Sequence, residues 1–169
     1  MEKSVIIFVS VLCFFSFLGF AYCEDTNNDY FVEGTVYCDT CRTQFMTRVS
    51  QVISGAEVQL VCKEEEGGAV TLKNTATTND KGEYRLPWSG DHEEEICEIK
   101  LVKSTMPDCS EIPDDSYLKK AARVGLTTNN GITSPVRLAN PLGFLKKDPL
   151  PECTEVLKEL GLTKEELED

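Results

Sequence analysis

Gly34-Thr-Val-Tyr-Cys-Asp-Thr-Cys-Arg42 sets two cysteines three residues apart at the end of a predicted strand. Where the thiols of Cys38 and Cys41 go decides the fold. A redox or zinc pair would make the stretch a site of chemistry, whereas two anchors of a disulfide framework would make the chain a secreted, stapled module. A thioredoxin-like site needs a βαβ context and a thiol free to attack. A zinc centre needs four ligands, usually with His among them or with a second paired Cys motif, and the chain has one His and one such motif. The expected role is therefore structural. Cys38 continues the alternation of Val32, Gly34 and Val36 on one side, opposite Phe31, Glu33, Thr35 and Tyr37. Cys38 and Cys41 differ by an odd number, so if the strand runs on they point to opposite faces and each needs a distant partner.

Upstream of that strand, residues 3–22 are almost wholly apolar after Lys3, and acids begin at once with Glu24 and Asp25. This is the pattern of a secretory signal peptide. A membrane span would need about 20 apolar residues with flanks that hold it in place, and the small-residue site Ala21 to Cys23 interrupts the run. Cleavage after Ala21 would leave an odd cysteine, while cleavage after Cys23 leaves Cys38, Cys41, Cys62, Cys97, Cys109 and Cys153, an even set. We therefore expect residues 1–23 as signal peptide and 24–169 as a single β domain, long enough for a real core. The net charge of −12 speaks against nucleic acid, which selects basic surfaces, and against anionic lipid. No membrane insertion is expected after cleavage.

Along the mature chain, residues 24–29 form a polar lead. Thr43 to Ser54 reads as a loop or a short helical turn. Ala56 to Lys63 alternates, with Val58, Leu60 and Cys62 on one face, and Ala69 to Thr78 reads as the returning strand. Asn79-Asp-Lys-Gly82 is a turn, and Tyr84 and Leu86 share one face of a short strand stopped by Pro87. Ile96 to Lys103 puts Cys97, Ile99 and Leu101 on one face, so a bridge between Cys62 and Cys97 across the core is sterically sensible. Cys109 falls in a loop from Met106 to Asp115, and Tyr117 to Ala122 reads as a short helix. Val124 to Thr128 and Ile132 to Leu138 read as strands around an Asn129-Asn130-Gly131 turn. Asn140-Pro-Leu-Gly-Phe144 reads as the end of the sheet region. From Glu152 the spacing of Val156, Leu157, Leu160 and Leu162 predicts an amphipathic helix with Gly161 as its stop. Short strands at close spacing imply an antiparallel sandwich or barrel. Six thiols allow fifteen pairings, and spacing alone leaves them open.

No catalytic residue is identified. His92 lies between acids in a polar loop with no placed nucleophile nearby, and carboxylates suited to glycoside chemistry are too plentiful to single out. No cofactor and no resident metal are expected. If Cys62 and Cys97 are bridged, Glu64, Glu65 and Glu66 come to the same end of the fold as Asp91, Glu93, Glu94 and Glu95, forming a negative patch around His92. Such a cluster is either a solvated face or a docking site for Ca²⁺ or a basic partner. Trp88, the only tryptophan, lies beside it, placed either to cap the core or to bind.

The Gly34–Arg42 motif, the Gly55-Ala-x-Val-x-Leu-x-Cys62 run, Gly90-Asp-His-Glu-Glu-Glu-x-Cys97 and Asn140-Pro-Leu-Gly-Phe144 together resemble the olive-pollen major allergen family, the Ole e I-like pollen and extensin-related secreted plant proteins. The likeness covers essentially the mature chain. It implies bridges Cys38 with Cys109, Cys41 with Cys153 and Cys62 with Cys97, in a mainly β, disulfide-stapled antiparallel Greek-key β-barrel or sandwich with a short C-terminal helix. The Gly55 to Leu86 stretch, with its Asp-x-Gly-x-Tyr turn, also looks like transthyretin-like and carboxypeptidase-regulatory-like sandwiches. Members that are glycosylated or extensin-linked differ, because this chain has no Asn-x-Ser/Thr sequon and only seven scattered prolines. The resemblance implies a secreted, non-enzymatic module of plant cell wall or apoplast, and a potential allergen. Its partner would be an extracellular protein, a receptor kinase among the candidates, or a cell-wall polysaccharide, in pollen development, pollen-tube or tissue growth. The rival is a cell-wall hydrolase or a hydrolase inhibitor. A pocket with two facing carboxylates would favour the enzyme, and a protruding rigid loop the inhibitor.

Overall fold

A computed structural model describes residues 30–114, 123–128 and 131–162. The expected signal peptide, the polar lead and the helix expected at Tyr117 to Ala122 lie outside them, as does most of the Asn129 to Gly131 turn. Two sheets pack face to face as a sandwich. One holds β1 (Tyr30–Asp39), β2 (Gln51–Val52), β5 (Glu83–Trp88), β7 (Cys109–Glu111), β8 (Val136–Leu138) and β9 (Leu142–Lys146), and the other orders β4 (Val70–Thr77), β3 (Glu57–Lys63) and β6 (Ile96–Lys103). The sheets do not close into a barrel.

β1 is the axis of the larger sheet. Residues 30–35 pair antiparallel with β5, and Tyr37 and Cys38 pair antiparallel with β2. On its other flank β1 pairs in parallel with β8, through Phe31 to Glu33, and then with β9, through Val36 to Asp39. The sheet is therefore mixed, which corrects the all-antiparallel expectation. Val32, Val36 and Cys38 are buried on the inward face, but from Val36 to Asp39 the strand is buried on both faces. Gly34 lies opposite Tyr84, and a Cβ there would come within 2.3 Å of the Tyr84 hydroxyl. The absent side chain is the space the ring occupies.

Several other expectations change. Asn140 to Phe144 does not end the sheet: the chain enters β9 at Leu142, with Phe144 fully buried. A Cβ on Gly143 would stand 2.8 Å from the Tyr37 ring, so this glycine is a close-packing position rather than a turn. Val124 to Thr128 is not a strand. Arg123 makes an isolated bridge to Glu98, and Val124 donates to the Cys97 carbonyl at 3.0 Å before the chain leaves the β6 edge. Cys109 stands in β7 rather than in a loop. Pro87 lies within β5, and Thr43 to Ser54 turns into the two-residue β2. The terminal helix α1 (Cys153–Glu159) buries Cys153, Val156 and Leu157. It ends where Gly161 takes φ 72° and the Leu162 amide donates to the Leu157 carbonyl at 2.9 Å, a glycine stop that satisfies the last carbonyls.

The core lies between the sheets, with Val58, Leu60, Leu86, Ile99 and Phe144 at its centre. Three disulfides fasten it: Cys38–Cys109 ties β1 to β7, Cys62–Cys97 ties β3 to β6, and Cys41–Cys153 ties the segment after β1 to α1.

Candidate functional site

Lys63 pairs with Ile96 and Cys62 with Cys97, so the turn after β3 and the loop before β6 emerge at the same end of the smaller sheet. Six carboxylates, on Glu64, Glu65, Glu66, Asp91, Glu93 and Glu94, are exposed there. Glu65 and Glu66 line a shallow hollow of about 150 Å³ with Lys63, Ile96 and Glu98. Arg123 answers part of the charge, 3.9 Å from Glu66 and 3.5 Å from Glu98.

His92 and Glu95 do not share this exposed face. The His92 side chain is only 9% exposed, because its backbone amide donates to the Leu126 carbonyl at 2.9 Å and draws the loop inward. Its Nδ1 lies 2.8 Å from a Glu95 carboxylate oxygen and its Nε2 3.0 Å from the Ser89 carbonyl. Glu95 also accepts from the Thr71 hydroxyl at 2.5 Å, tying the loop to β4. The pair rests against the Cys62–Cys97 bridge. Trp88 is buried beside them, stacked on Tyr30 at 4.7 Å and tilted toward His92 at 6.2 Å. It caps the core.

Burial pushes the Glu95 carboxyl up, but the Thr71 hydroxyl and the His92 imidazole outweigh it and hold it below the usual carboxylate range. A carboxyl depressed in the folded state contributes stability that is complete above its unfolded value and is lost as the pH falls through the folded one. Glu95→Gln is therefore expected to flatten the acid-side fall in urea midpoint. An unchanged slope between neutral pH and the acid transition would contradict it. Asp108 beside Lys146 and Glu111 beside Arg42 are held low in the same direction and keep their own share of the acid dependence.

Two features bear on the rival functions. A groove of about 530 Å³ runs across β5, β1 and the end of β8, lined by Glu33, Thr35, Asn79, Glu83, Arg85 and Leu138. It holds two carboxylates, but Glu33 faces the Arg85 guanidinium at 3.2 Å and Glu83 accepts from the Asn79 amide at 3.1 Å. A glycosidase pair presents two carboxyls to the scissile bond from either side, whereas here each carboxylate is engaged by a neighbouring side chain.

The second feature is the loop after β1, which the sequence left undefined. Asp39 is fully buried, and its carboxylate accepts from the backbone amides of Cys41 at 3.2 Å and Gln44 at 2.6 Å. An Asp set between the two cysteines is the residue type that builds such side-chain-capped turns. Arg42 and Gln44 take φ of 57° and 63°, a conformation that residues with side chains rarely hold without such support. Arg42 also donates to the Lys146 carbonyl at 2.8 Å and pairs with Glu111. The result is a fixed loop carrying the partly exposed Phe45 and Met46.

Comparisons with known proteins agree on one kinship. A family model described as "Pollen protein Ole e 1 like" matches residues 28–161. The chain is 56% identical to the "Olee1-like protein" of Betula pendula over 167 residues, covering 99% of each. It is 49% identical to "Pollen allergen Che a 1" of Chenopodium album, covering 95% of this chain and 94% of that protein. Among solved structures, the crystal structure of the major plantain pollen allergen Pla l 1 superposes with a TM-score of 0.63 at 39% identity, covering 74% of this chain and 99% of that one.

Proposed function

Because the chain belongs to the Ole e 1-like family of pollen proteins, we infer that it is a secreted, non-enzymatic protein of the plant extracellular space that works by binding another extracellular protein. Pollen development, pollen-tube growth and tissue growth are the settings, and a receptor kinase ectodomain is the class of partner, ahead of a cell-wall polysaccharide. Three buried disulfides fit an oxidising compartment. The non-enzymatic character is supported by the only histidine, which is spent on Glu95 and the Ser89 carbonyl inside a loop.

The observation that carries the reading is the convergence of two acid-rich loops at one end of the smaller sheet, where six exposed carboxylates stand beside Arg123 and Lys63 among the described residues. A concentrated single-sign surface on a rigid sheet end gives fast, orientation-specific encounter with a basic surface. The test immobilises the oxidised mature chain beside a variant in which Glu64, Glu65, Glu66, Glu93 and Glu94 become Gln and Asp91 becomes Asn. Proteins from pollen-wall extract are expected to bind the first in a salt-sensitive manner and to be largely lost from the second. Equal capture would remove the acidic end as the contact surface.

The loop of Arg42 to Met46 supports a hydrolase inhibitor as the alternative. There Phe45 and Met46 would enter a partner's cleft on a preorganised backbone. Inhibition of a secreted plant hydrolase that is lost in a Phe45→Ala, Met46→Ala variant would favour it, and unchanged inhibition by that variant would not.

A further inference from the structure

Four side chains with metal-binding chemistry meet in one place that the acidic end only overlooks. The two sulfurs of Cys62 and Cys97, one ring nitrogen of His92 and one carboxylate oxygen of Glu95 lie within 4.8 Å of one another. They are held there by independent constraints. Cys62 and Cys97 face each other in the register of β3 and β6, the His92 amide is tied to Leu126, and the Glu95 carboxylate is tied to Thr71. Cys62 is 0% and Cys97 3% exposed, so the cluster sits beneath the surface.

While the sulfurs are joined they carry no charge and are poor ligands. Separated, they are two thiolates beside an imidazole and a carboxylate, a four-donor set of the kind that zinc takes in tetrahedral geometry, and unlike the all-oxygen set of calcium. His92 is already oriented for this. Its Nε2 rests on the Ser89 carbonyl, the outer hydrogen bond that a ligating histidine usually makes, which leaves Nδ1 turned toward Glu95.

We propose that Cys62, His92, Glu95 and Cys97 form a zinc site that opens when the Cys62–Cys97 disulfide is reduced, so that one cross-link between β3 and β6 is exchanged for another. The reductant is a dithiol. One of its thiolates attacks a sulfur of the bridge to give a mixed disulfide, and its second thiol displaces the remaining protein sulfur. Two electrons and two protons pass to Cys62 and Cys97, and the dithiol leaves as its own disulfide. A divalent zinc ion then displaces both thiol protons and the proton shared by Nδ1 and the Glu95 carboxylate, and these go to solvent. With zinc–sulfur bonds of about 2.3 Å and zinc–nitrogen bonds of about 2.0 Å, the sulfurs must move apart to roughly 3.7 Å. Facing side chains of two adjacent strands span that separation.

The mature chain is reduced with a phosphine, which does not compete for metal as a dithiol does, and titrated with Co²⁺ without oxygen. One equivalent is expected to give tetrahedral d–d bands and thiolate-to-cobalt charge transfer, both displaced by Zn²⁺. The bands should vanish in a C62S/C97S variant, and His92→Phe should weaken binding by about tenfold or more. In the unmodified chain, Zn²⁺ should shield Cys62 and Cys97 from alkylation while Cys38, Cys41, Cys109 and Cys153 stay reactive. If the reduced chain loses its strand circular dichroism, zinc should restore it. No tetrahedral bands, bands that survive C62S/C97S, shielding of Cys38 and Cys41 instead, or an unfolded chain that zinc leaves unfolded would each overturn the proposal.

Discussion

Replacing Cys41 and Cys153 together by alanine is expected to lower the unfolding free energy by about 4 kcal/mol. The reason lies in the denatured chain, where, with Cys38–Cys109 in place, this bridge closes a ring of about 47 residues that runs from Cys41 back to Cys38 and on from Cys109 to Cys153. The Cys62–Cys97 bridge closes a ring of comparable size, and it joins strands that are already paired. In the folded state the Cys41–Cys153 bridge holds α1 against the loop after β1, where Val156 and Leu157 are buried. Those contacts have no other covalent support. Guanidinium unfolding of residues 24–169, oxidised, and of the double variant measures the difference. A loss under about 1 kcal/mol would mean that the denatured ensemble keeps these ends together without the bond.

Phe144→Ala is expected to cost about 3–5 kcal/mol. The ring is wholly buried in β9, beside Cys38 of β1 in the parallel register and one strand from Cys109. Its neighbours are held by the Cys38–Cys109 bridge and cannot collapse into the space, so the cavity term is expected in full. Leu138→Ala, at a side chain 81% exposed, should stay within about 0.5 kcal/mol and serves as the control for the same denaturation experiment. Equal small losses at both positions would show that the packing around β9 is loose.

What the sequence made legible is the smaller sheet. β3 and β6 alternate because one face is buried and the other solvated, and that periodicity gives strand, face and the inward placement of Cys62 and Cys97 together. The larger sheet was half hidden. Its parallel pairs join β1 to residues more than a hundred positions away, and nothing local in Leu142 to Lys146 records a partner so distant. Pro141 and Gly143 punctuate that stretch like a turn, whereas the proline only precedes the strand and the glycine makes room for the Tyr37 ring. Val124 to Leu126 is apolar enough to read as a strand, but only its first residues reach the β6 edge. At the acidic end the exposed carboxylates follow from charge and spacing alone. The inward turn of His92 follows from a backbone hydrogen bond to Leu126, which sequence neighbours do not encode. Asp39 was visible in the Cys-Asp-Thr-Cys motif, yet its burial depends on the loop it organises.

The two flanks of β1 are completed at very different times in the life of the chain. β5 and β2 follow it closely, but β8 and β9 leave the ribosome roughly a hundred residues after it, about 5–20 s later at ordinary rates of synthesis. During that interval one side of the central strand is an open edge, able to pair with the wrong segment. Cys38 and Cys41 meet Cys62 and Cys97 before Cys109 and Cys153 exist. Cys62–Cys97 can then form at once, but any bridge that Cys38 or Cys41 makes at that stage is non-native and must be exchanged before Cys109 and Cys153 can take their places.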